Sequence, residues 1–235
     1  MTFKYCSGCS HSQLHLLLAR VLGERPEGER LLGVSGTGCS EGMGQYFNVP
    51  FVSAAAGQAP AVAAGIKRSR ADHLVFTYQG DGDLAARGLD TLMSVAARRE
   101  SITVICLNNL VMAGSGGQMS PTSLTGQVTT STRLGRSYSR MGKPLKLTET
   151  VARMPGVAFA QRVALHKPSA VEQARLALED AFAFQKNVQG LSFIEVLGWC
   201  PPYWDCTPVE ARQRLENQVF KVFPLGIFRN EGLKV

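Results

Sequence analysis

Two short polar motifs in this chain have the residue types of a metal and phosphate site. Gly80-Asp81-Gly82 follows the apolar run 73–79, and Asn108-Asn109 closes a β-branched run after 25 intervening residues. Mg²⁺ prefers hard oxygen ligands in near-octahedral geometry, which a carboxylate, an amide oxygen and a backbone carbonyl supply. The motifs therefore predict that Asp81, Asn109 and the carbonyl of Val111 hold a Mg²⁺ that carries a diphosphate, with the glycines letting the backbone approach the phosphates.

The sequence between the motifs determines whether these ligands meet. Residues 84–99 carry apolar side chains at helical spacing, so residues 73–108 form a predicted βαβ unit. Such a unit places two parallel strands near each other with their carboxyl ends on one edge, where Asp81 and Asn109 are expected to converge. Asp83 is expected to cap the helix, whose N-terminus favours an anion. This pair of motifs points to thiamine diphosphate; the alternative is two polar turns that merely end strands.

Strands and helices alternate along most of the chain. This order predicts an α/β fold with a doubly wound, mostly parallel, Rossmann-like sheet covered on both faces. We expect one domain over residues 1–235, because this length and a hydrophobic content of 45% suit a single large core. The predicted helices are 11–22, 60–69, 84–99, 169–186 and 208–219, and the predicted strands are 31–35, 73–79, 102–108, 157–163 and 191–198.

The composition narrows the class of protein. No apolar run is long enough to cross a bilayer, and the polar start MTFKYCSGCSHSQ does not resemble a secretory signal, so a cytoplasmic location without membrane contact is expected. The formal net charge of +7 is spread over short clusters such as 67–70 and 98–99, and no nucleic-acid-binding motif accompanies them. A positive surface would attract an acidic protein partner, such as a small electron carrier, although most of these charges are expected to be solvated.

One segment interrupts the alternation of strands and helices. Residues 113–136 are rich in Gly, Ser and Thr and have no sustained apolar period. A long loop inside a compact domain is usually functional or disordered, and this one begins directly after the predicted metal ligands. We interpret it as a loop that covers the cofactor and faces the substrate; the alternative is a mobile surface linker.

The cysteines form a second candidate site. Six cysteines in a reducing compartment argue against a disulfide framework and favour metal or redox use of some of them. Cys6 and Cys9 form a C-x-x-C motif, while Cys39 and Cys200 each follow a predicted strand. Both strands would end on the sheet edge that carries the predicted metal ligands.

Two kinds of metal centre suit these thiolates. A 4Fe-4S cluster needs cysteine ligation and tolerates ligands scattered through a sequence. Zinc is the rival, bound by the same cysteines or by Cys6, Cys9 and His11. Cys106 lies within a predicted strand and is expected in the core, and Cys206 is the alternative fourth ligand.

The chain resembles the thiamine-diphosphate-binding β subunit of 2-oxoacid:ferredoxin (acceptor) oxidoreductases, in the short form found in multi-subunit enzymes. The resemblance extends over nearly the whole chain, and the combination of GDGDLAA, NN and GGQMSPT is specific. The segments that carry it are YCSGCSH (5–11), GTGCS (36–40), GQAPAVAAGIKR (57–68), VFTYQGDGDLAARG (75–88), ITVICLNN (102–109), GGQMSPTSLTGQVTTST (116–132), EVLGWCPPYWDCTPVEA (195–211) and FPLGIF (223–228).

This resemblance implies a set of sites and partners. Terminal segments would ligate a 4Fe-4S cluster through Cys6, Cys9, Cys39 and Cys200, and Mg²⁺ would bind the three ligands named above. The implied activity is the thiamine-dependent oxidative decarboxylation of a 2-oxoacid, with coenzyme A as the expected co-substrate and ferredoxin or a similar carrier as acceptor. α- and γ-type subunits would complete the complex. The residues assigned to the cofactor are Gly80, Asp81, Gly82, Asp83, Asn109, Val111, Ser40, Ser115, Gly117 and Gln118.

The chain departs from the family pattern where substrate choice is set. The segment that usually resembles H-G-R-A-P-A is here residues 56–61, AGQAPA, which lacks a histidine and an arginine, and the first motif is CSGCS in place of CPGCG. Residues 112–115, MAGS, replace a bulkier run, and Gly114 either leaves room for a larger substrate side chain or has its space filled from elsewhere in the chain. Glu41 matches no motif for the glutamate that activates thiamine, so that residue is expected on a partner chain.

Two other classes of protein remain open at this stage. A non-redox thiamine decarboxylase or lyase subunit would share the diphosphate site but would have no use for the four cysteines. A zinc-stabilised, non-catalytic interaction subunit would use the cysteines but would not need the intact diphosphate motifs.

Overall fold

A computed structural model describes residues 4–232, and helices and strands alternate along them largely as predicted. The helices are α1 (Ser10–Gly23), α2 (Ala59–Ser69), α3 (Leu89–Ala97), α4 (Tyr138–Met141), α5 (Leu147–Ala152), α6 (Pro168–Asn187), α7 (Pro201–Trp204), α8 (Pro208–Arg214) and α9 (Phe220–Val222). The strands are β1 (Leu31–Ser35), β2 (Phe51–Ser53), β3 (Leu74–Gly80), β4 (Thr103–Asn108), β5 (Val157–Ala164), β6 (Leu191–Leu197) and β7 (Gly226–Asn230).

The strands form one sheet in the order β2-β1-β3-β4-β6-β5-β7. Every neighbouring pair is parallel except β5 and β7, which are antiparallel. Helices α1 and α6 pack on one face of the sheet, and α2, α3 and α5 pack on the other. The predicted doubly wound, mostly parallel α/β fold is therefore confirmed, and the carboxyl ends of β1, β3, β4 and β6 share one edge.

The central strands are apolar because both of their faces are covered. All residues of β4 and β6 are buried, as expected for strands between two helical layers. A third apolar cluster lies beyond the sheet edge and is built around Trp199, Trp204 and Phe223. No helix within residues 4–232 has the length and apolarity to cross a membrane.

The sequence patterns did not predict the short elements, and they predicted one continuous helix where the structure has two helical segments. Strands β2 and β7 and helices α4, α5 and α7 have three to six residues each, which is too few for a periodicity to emerge. The predicted helix 84–99 is in fact a π-helical turn, Gly82–Arg87, followed by α3. The break falls at Gly88, where a Cβ would lie 2.5 Å from the carbonyl oxygen of Gly57.

The long Gly/Ser/Thr-rich loop is a packed structure. Arg136, the last residue of this segment, is 5% exposed. Its guanidinium donates to backbone carbonyls that would otherwise be bonded within a helix or strand. The guanidinium donates to the carbonyl oxygens of Ser120, Pro121, Ser123, Met141, Gly142 and Lys143. The segment therefore folds over the sheet edge with its own internal support.

A buried ion network ties β5 and β6 to the sheet edge. Arg162 and Glu195 are both fully buried, and Arg162 Nε donates to Glu195 Oε2 over 2.8 Å. The Arg162 guanidinium also pairs with Glu149, and Thr148 donates to Glu195. Asn108 Nδ2 donates to Glu195 Oε1 over 2.6 Å, so the network reaches the last residue of β4.

Replacing Arg162 by methionine should destabilise the fold strongly. The change leaves the Glu195 carboxylate buried without its cation, which costs about 3–5 kcal/mol of unfolding free energy. The matched control is Arg20→Met, because Arg20 pairs with Glu24 on the surface, where solvent screening leaves such pairs little effect on stability. Urea unfolding of both variants tests this, and equal losses would show that the buried network is not a principal support.

Candidate functional site

A cavity lies at the carboxyl-terminal edge of the sheet, between the loops that follow β1, β3 and β4. Both predicted motifs line it, through Gly80, Asp81, Gly82, Asn109 and Val111. The topology explains this convergence, because parallel strands deliver their following loops to the same edge. The remaining lining residues are His11, Thr37, Gly38, Cys39, Asp83, Arg87, Met112, Ala113, Gly114 and Ser115.

The three predicted Mg²⁺ ligands lie close together. The side-chain amide of Asn109 lies 3.2 Å from Asp81 Oδ1 and 2.8 Å from the Val111 carbonyl oxygen. Its nitrogen can donate to both oxygens in the metal-free chain, and turning the amide over presents Oδ1 beside them as a third cation ligand. Ligands adjacent on an octahedral Mg²⁺ at about 2.0–2.1 Å lie about 2.9 Å apart. The residues present therefore fit this ion.

The Asp81 carboxylate is buried in the cavity wall, where burial disfavours its charged form. It is 1% exposed, and burial raises its pKa to about 6. Hydrogen bonds from Ser120, Thr122 and the backbone of Asn109 act in the opposite direction, with Thr122 Oγ1 at 2.5 Å from Asp81 Oδ2. A charge buried with neutral donors alone is an arrangement that a bound cation would stabilise.

Leu110, between Asn109 and Val111, has a left-handed backbone with φ of +64°. Such a conformation costs a branched residue about 1–3 kcal/mol and persists only where its surroundings fix it. Asn108 Oδ1 accepts from the Leu110 N–H at 3.1 Å, while Ser123 Oγ and Gln127 Nε2 donate to the Leu110 carbonyl. These bonds present Asn109 and Val111 on the same side of the loop.

The predicted cap by Asp83 is wrong. Its carboxylate accepts from Thr37 Oγ1 at 2.8 Å, from the Gly57 N–H at 2.9 Å and from Gln79 Nε2 at 2.6 Å. The turn that follows β3 has no side-chain cap. Asp83 thus lines the cavity and connects the loops that follow β1 and β2. Because these three donors occupy its carboxylate, the side chain points away from the helix N-terminus.

The other residues assigned to the cofactor lie at different depths. Ser115 lines the cavity. Ser40 is buried and donates to the Thr37 carbonyl, Gly117 packs against Tyr203, and Gln118 is exposed and donates to the Ser115 carbonyl. These three lie outside the cavity wall. Of the two alternatives for Gly114, the structure favours filled space, because a Cβ there would lie 2.5 Å from Gly38 Cα.

Four of the cysteine thiols share one neighbourhood beside the cavity. Burial raises the pKa of Cys200 to about 12, and Cys9, Cys39 and Cys6 raise it in the same direction. Burial also raises the pKa of Cys39 to about 11, with Cys9 and Cys6 again adding to the shift. Among residues 4–232, no three or more His, Cys, Asp or Glu side chains are grouped closely enough to be recognised as a metal site.

The two remaining cysteines lie apart from this group. Cys106 is fully buried within β4, as expected for a core residue. Burial raises the pKa of Cys206, and its charged neighbours are Arg214, Glu210 and Asp205, with none of the four grouped thiols among them. Cys200 thus has the other grouped thiols among its electrostatic neighbours and Cys206 does not, while the choice of Cys200 as a cluster ligand stays a prediction.

Three residues in or beside the cavity were not assigned to the cofactor from the sequence. His11 is buried, its Nδ1 lies 3.0 Å from the Tyr78 hydroxyl, and burial lowers its pKa to about 3. Arg87 is an exposed cation on the cavity wall. Thr122 contacts Asp81 from 41 residues away in sequence, a long-range pairing that no local pattern encodes.

Comparison with known proteins identifies the family. The family model for the C-terminal TPP-binding domain of thiamine pyrophosphate enzymes matches residues 36–196, which include both motifs. The chain belongs to this family of thiamine-pyrophosphate-binding proteins, and its named relatives are subunits of 2-oxoacid oxidoreductases, as the sequence motifs predicted.

Two curated relatives illustrate the range. Ketoisovalerate oxidoreductase subunit VorA of Methanothermobacter thermautotrophicus is 38% identical over 97% of this chain and 48% of its own length. The 2-oxoglutarate synthase subunit KorB of Methanocaldococcus jannaschii is 31% identical over 85% of this chain and 70% of its own. The chain thus spans about half the length of the VorA relative.

A solved structure has the same fold. A chain of 2-oxoglutarate:ferredoxin oxidoreductase from Magnetococcus marinus, solved with 2-oxoglutarate, coenzyme A and succinyl-CoA bound, superimposes with a TM-score of 0.76. The match covers 99% of this chain and 82% of that one at 20% identity. At this identity the similarity establishes the fold alone.

Replacing Asp81 by asparagine should stabilise the metal-free chain and remove its response to the metal. The raised pKa means that the folded state disfavours the charged carboxylate, so at pH 7.5 the neutral amide of Asp81→Asn should add about 1–3 kcal/mol of unfolding free energy. Saturating Mg²⁺ with thiamine diphosphate should stabilise the original chain but not the variant. Urea unfolding with and without these ligands tests both points; a metal-free variant less stable than the original would show that Asp81 is a structural acceptor.

Proposed function

We propose that this chain is the thiamine-diphosphate-binding β subunit of a multi-subunit 2-oxoacid:ferredoxin (acceptor) oxidoreductase. The reaction is the oxidative decarboxylation of a 2-oxoacid, with an acyl-CoA as product and electrons leaving through a 4Fe-4S cluster. The observation that carries the proposal is the convergence of Asp81, Asn109 and Val111 on one cavity at the sheet edge, with Cys39 in its wall and Cys6, Cys9 and Cys200 in the electrostatic neighbourhood of that thiol.

Asp81, Asn109 and the Val111 carbonyl would hold Mg²⁺, and the cavity beside them would receive the diphosphate. A metal held by these residues would neutralise phosphate charge and fix the position of the cofactor. Gly80 and Gly82 line the same wall, so their backbone can approach the phosphates without side chains between. When bound, thiamine diphosphate supplies the carbon nucleophile and the electron sink that decarboxylation of a 2-oxoacid needs.

The cluster proposal rests on the grouped thiols. Cys6 and Cys9 lie just before α1, Cys39 follows β1, and Cys200 follows β6, so three separate segments contribute. Four irons and four sulfides occupy more space than one ion, so cluster ligands stand farther apart than those of zinc. Cys39 also lines the cofactor cavity, which gives electrons a short route between the two centres.

The activating glutamate is assigned to a partner subunit. Both acids that line the cavity are already engaged, since Asp81 faces the metal oxygens and Asp83 accepts three hydrogen bonds. Glu41 is exposed at the end of the turn after β1. We therefore expect catalysis to require the α- and γ-type subunits, with residues 1–235 forming one domain that contributes the cofactor, metal and cluster ligands.

The relatives favour a 2-oxoacid as substrate and ferredoxin or a similar carrier as acceptor, because their names specify ketoisovalerate, 2-oxoglutarate and ferredoxin. The reducing cytoplasm suits a cluster held by free thiolates. Arg87 is a cation on the cavity wall, and Gln58 stands where the family commonly has arginine, so the anion contacts of this enzyme differ from the usual ones. The grouped thiols count against a non-redox lyase subunit, which would not need them.

Anaerobic purification of the chain with its partner subunits tests the proposal. We expect about four irons and four sulfides from this chain's cluster, bound thiamine diphosphate, and 2-oxoacid-dependent reduction of ferredoxin. Zinc in place of iron would support an interaction subunit, and thiamine diphosphate without iron would support the non-redox lyase. Either result would overturn the proposal.

Paired cysteine variants test the ligand set in the same preparation. Cys200→Ser should lose the iron and sulfide of this chain's cluster and with them the electron transfer, because a thiolate ligand is removed. Cys206→Ser is the matched control and should retain both. The reverse result, with iron lost only from Cys206→Ser, would move the fourth ligand to Cys206.

A further inference from the structure

We propose that Trp204 is a positioning residue that couples the cluster-binding segment to the metal-diphosphate site. The indole N–H of Trp204 donates to the Asn109 carbonyl oxygen over 2.9 Å, while its own backbone N–H is bonded to the Cys200 carbonyl. Trp204 thus connects Cys200, the proposed cluster ligand after β6, to Asn109, the proposed metal ligand after β4. The inference rests on the proposed function and adds a dependence of one centre on the other.

The first contact fixes the metal ligand. Trp204 is 6% exposed, so its hydrogen bond to Asn109 is shielded from water. Asn109 is then held from both directions, because the following residue, Leu110, is locked in its left-handed conformation by Asn108 and Ser123. Without the indole donor, the Asn109 carbonyl would be left without this buried partner, and its peptide could rotate.

The second contact fixes Trp204 to the cluster segment. Helix α7 is a single turn that begins after Cys200, and both Tyr203 and Trp204 donate their backbone N–H groups to the Cys200 carbonyl, at 3.2 and 2.9 Å. Because α7 is a single turn bonded to the Cys200 carbonyl, we expect Trp204 to follow any movement of Cys200. On its outer side the Arg214 guanidinium packs over the indole, 4.6 Å from its centre, and prevents the ring from swinging out.

The neighbouring residue of the same turn contacts the loop over the cavity. A Cβ built at Gly117 would lie 2.2 Å from Tyr203 Cδ1, so the Tyr203 ring occupies the space beside that backbone. Gly117 donates to the carbonyl of Met112, which lines the cavity. Helix α7 therefore reaches the diphosphate site along two routes, one through Asn109 and one through Met112.

These contacts predict that the two centres stabilise each other. A cluster that holds Cys200 in place also restricts Trp204. The loss of conformational entropy on binding Mg²⁺ and thiamine diphosphate is then smaller. The coupling is reciprocal by thermodynamic linkage, and couplings between sites are typically about 5–150-fold in affinity. Loss of the cluster should therefore weaken binding of the cofactor within that range.

The experiment uses the complex with its partner subunits, prepared anaerobically with and without its clusters. Thiamine diphosphate affinity is measured by equilibrium dialysis in saturating Mg²⁺, and iron and sulfide are assayed on the same samples. In the original protein, removing the cluster should weaken cofactor binding about 5–150-fold. Trp204→Phe should retain iron and sulfide, bind the cofactor more weakly, and show little further change when its cluster is removed.

Trp199→Phe is the matched control. Trp199 is also buried, and its indole N–H donates over 2.8 Å to a backbone carbonyl, that of Gly8, which lies between Cys6 and Cys9 and not in the metal loop. With its cluster in place, this variant should bind thiamine diphosphate like the original protein. Benzothienylalanine at position 204 is a second test, because it keeps the shape of the indole and lacks only the donor, so a packing defect cannot imitate the effect.

The outcomes separate this proposal from the proposed function. An original complex that binds iron and thiamine diphosphate, together with a Trp204→Phe complex of unchanged cofactor affinity, would overturn the coupling and leave the proposed function intact. An original complex with neither iron nor thiamine diphosphate would overturn both. Equal weakening in the Trp199 and Trp204 variants, with iron and sulfide retained in both, would also overturn the coupling, because it would indicate a general loss of core stability.

Discussion

The candidate site depends on three polar groups that two strand ends bring together. Asp81 Oδ1 and the Val111 carbonyl oxygen both lie within hydrogen-bonding distance of the Asn109 side-chain amide, which can donate to them or turn its oxygen to join them as a cation ligand. The sheet sets the distance between β3 and β4, and the left-handed Leu110 turns the second loop so that ligands on both sides of it face Asp81. The structure is thus organised in advance for a cation, which would satisfy all three oxygens at once.

A buried acid that does not line the cavity supports this arrangement. Glu195 is fully buried in β6 and accepts from Asn108, whose side-chain oxygen in turn holds the Leu110 N–H. Arg162 balances the charge of Glu195 from β5. A chain of polar contacts therefore connects the core of the sheet to the metal loop, and each of these four residues has a partner within it, as such networks require.

The parts of the site that could be predicted from sequence are those that lie at strand ends. The order of strands and helices required Asp81 and Asn109 to meet at one edge, and β1 and β6 delivered Cys39 and Cys200 to the same region. The contributions of Thr122, Arg136 and Trp204 could not be predicted, because each depends on a loop path that has no periodicity. Asp83 was misassigned because the sequence did not reveal the competing donors Thr37, Gly57 and Gln79.

The most direct test of the central claim is a crystal structure of the complex with thiamine diphosphate and Mn²⁺, located by its anomalous scattering. Mn²⁺ accepts the same oxygen ligands as Mg²⁺. The account predicts one Mn²⁺ bound by Asp81 Oδ1, Asn109 Oδ1 and the Val111 carbonyl, with diphosphate oxygens completing its shell. A Mn²⁺ bound elsewhere, with the Asn109 amide nitrogen turned toward Asp81, would contradict it.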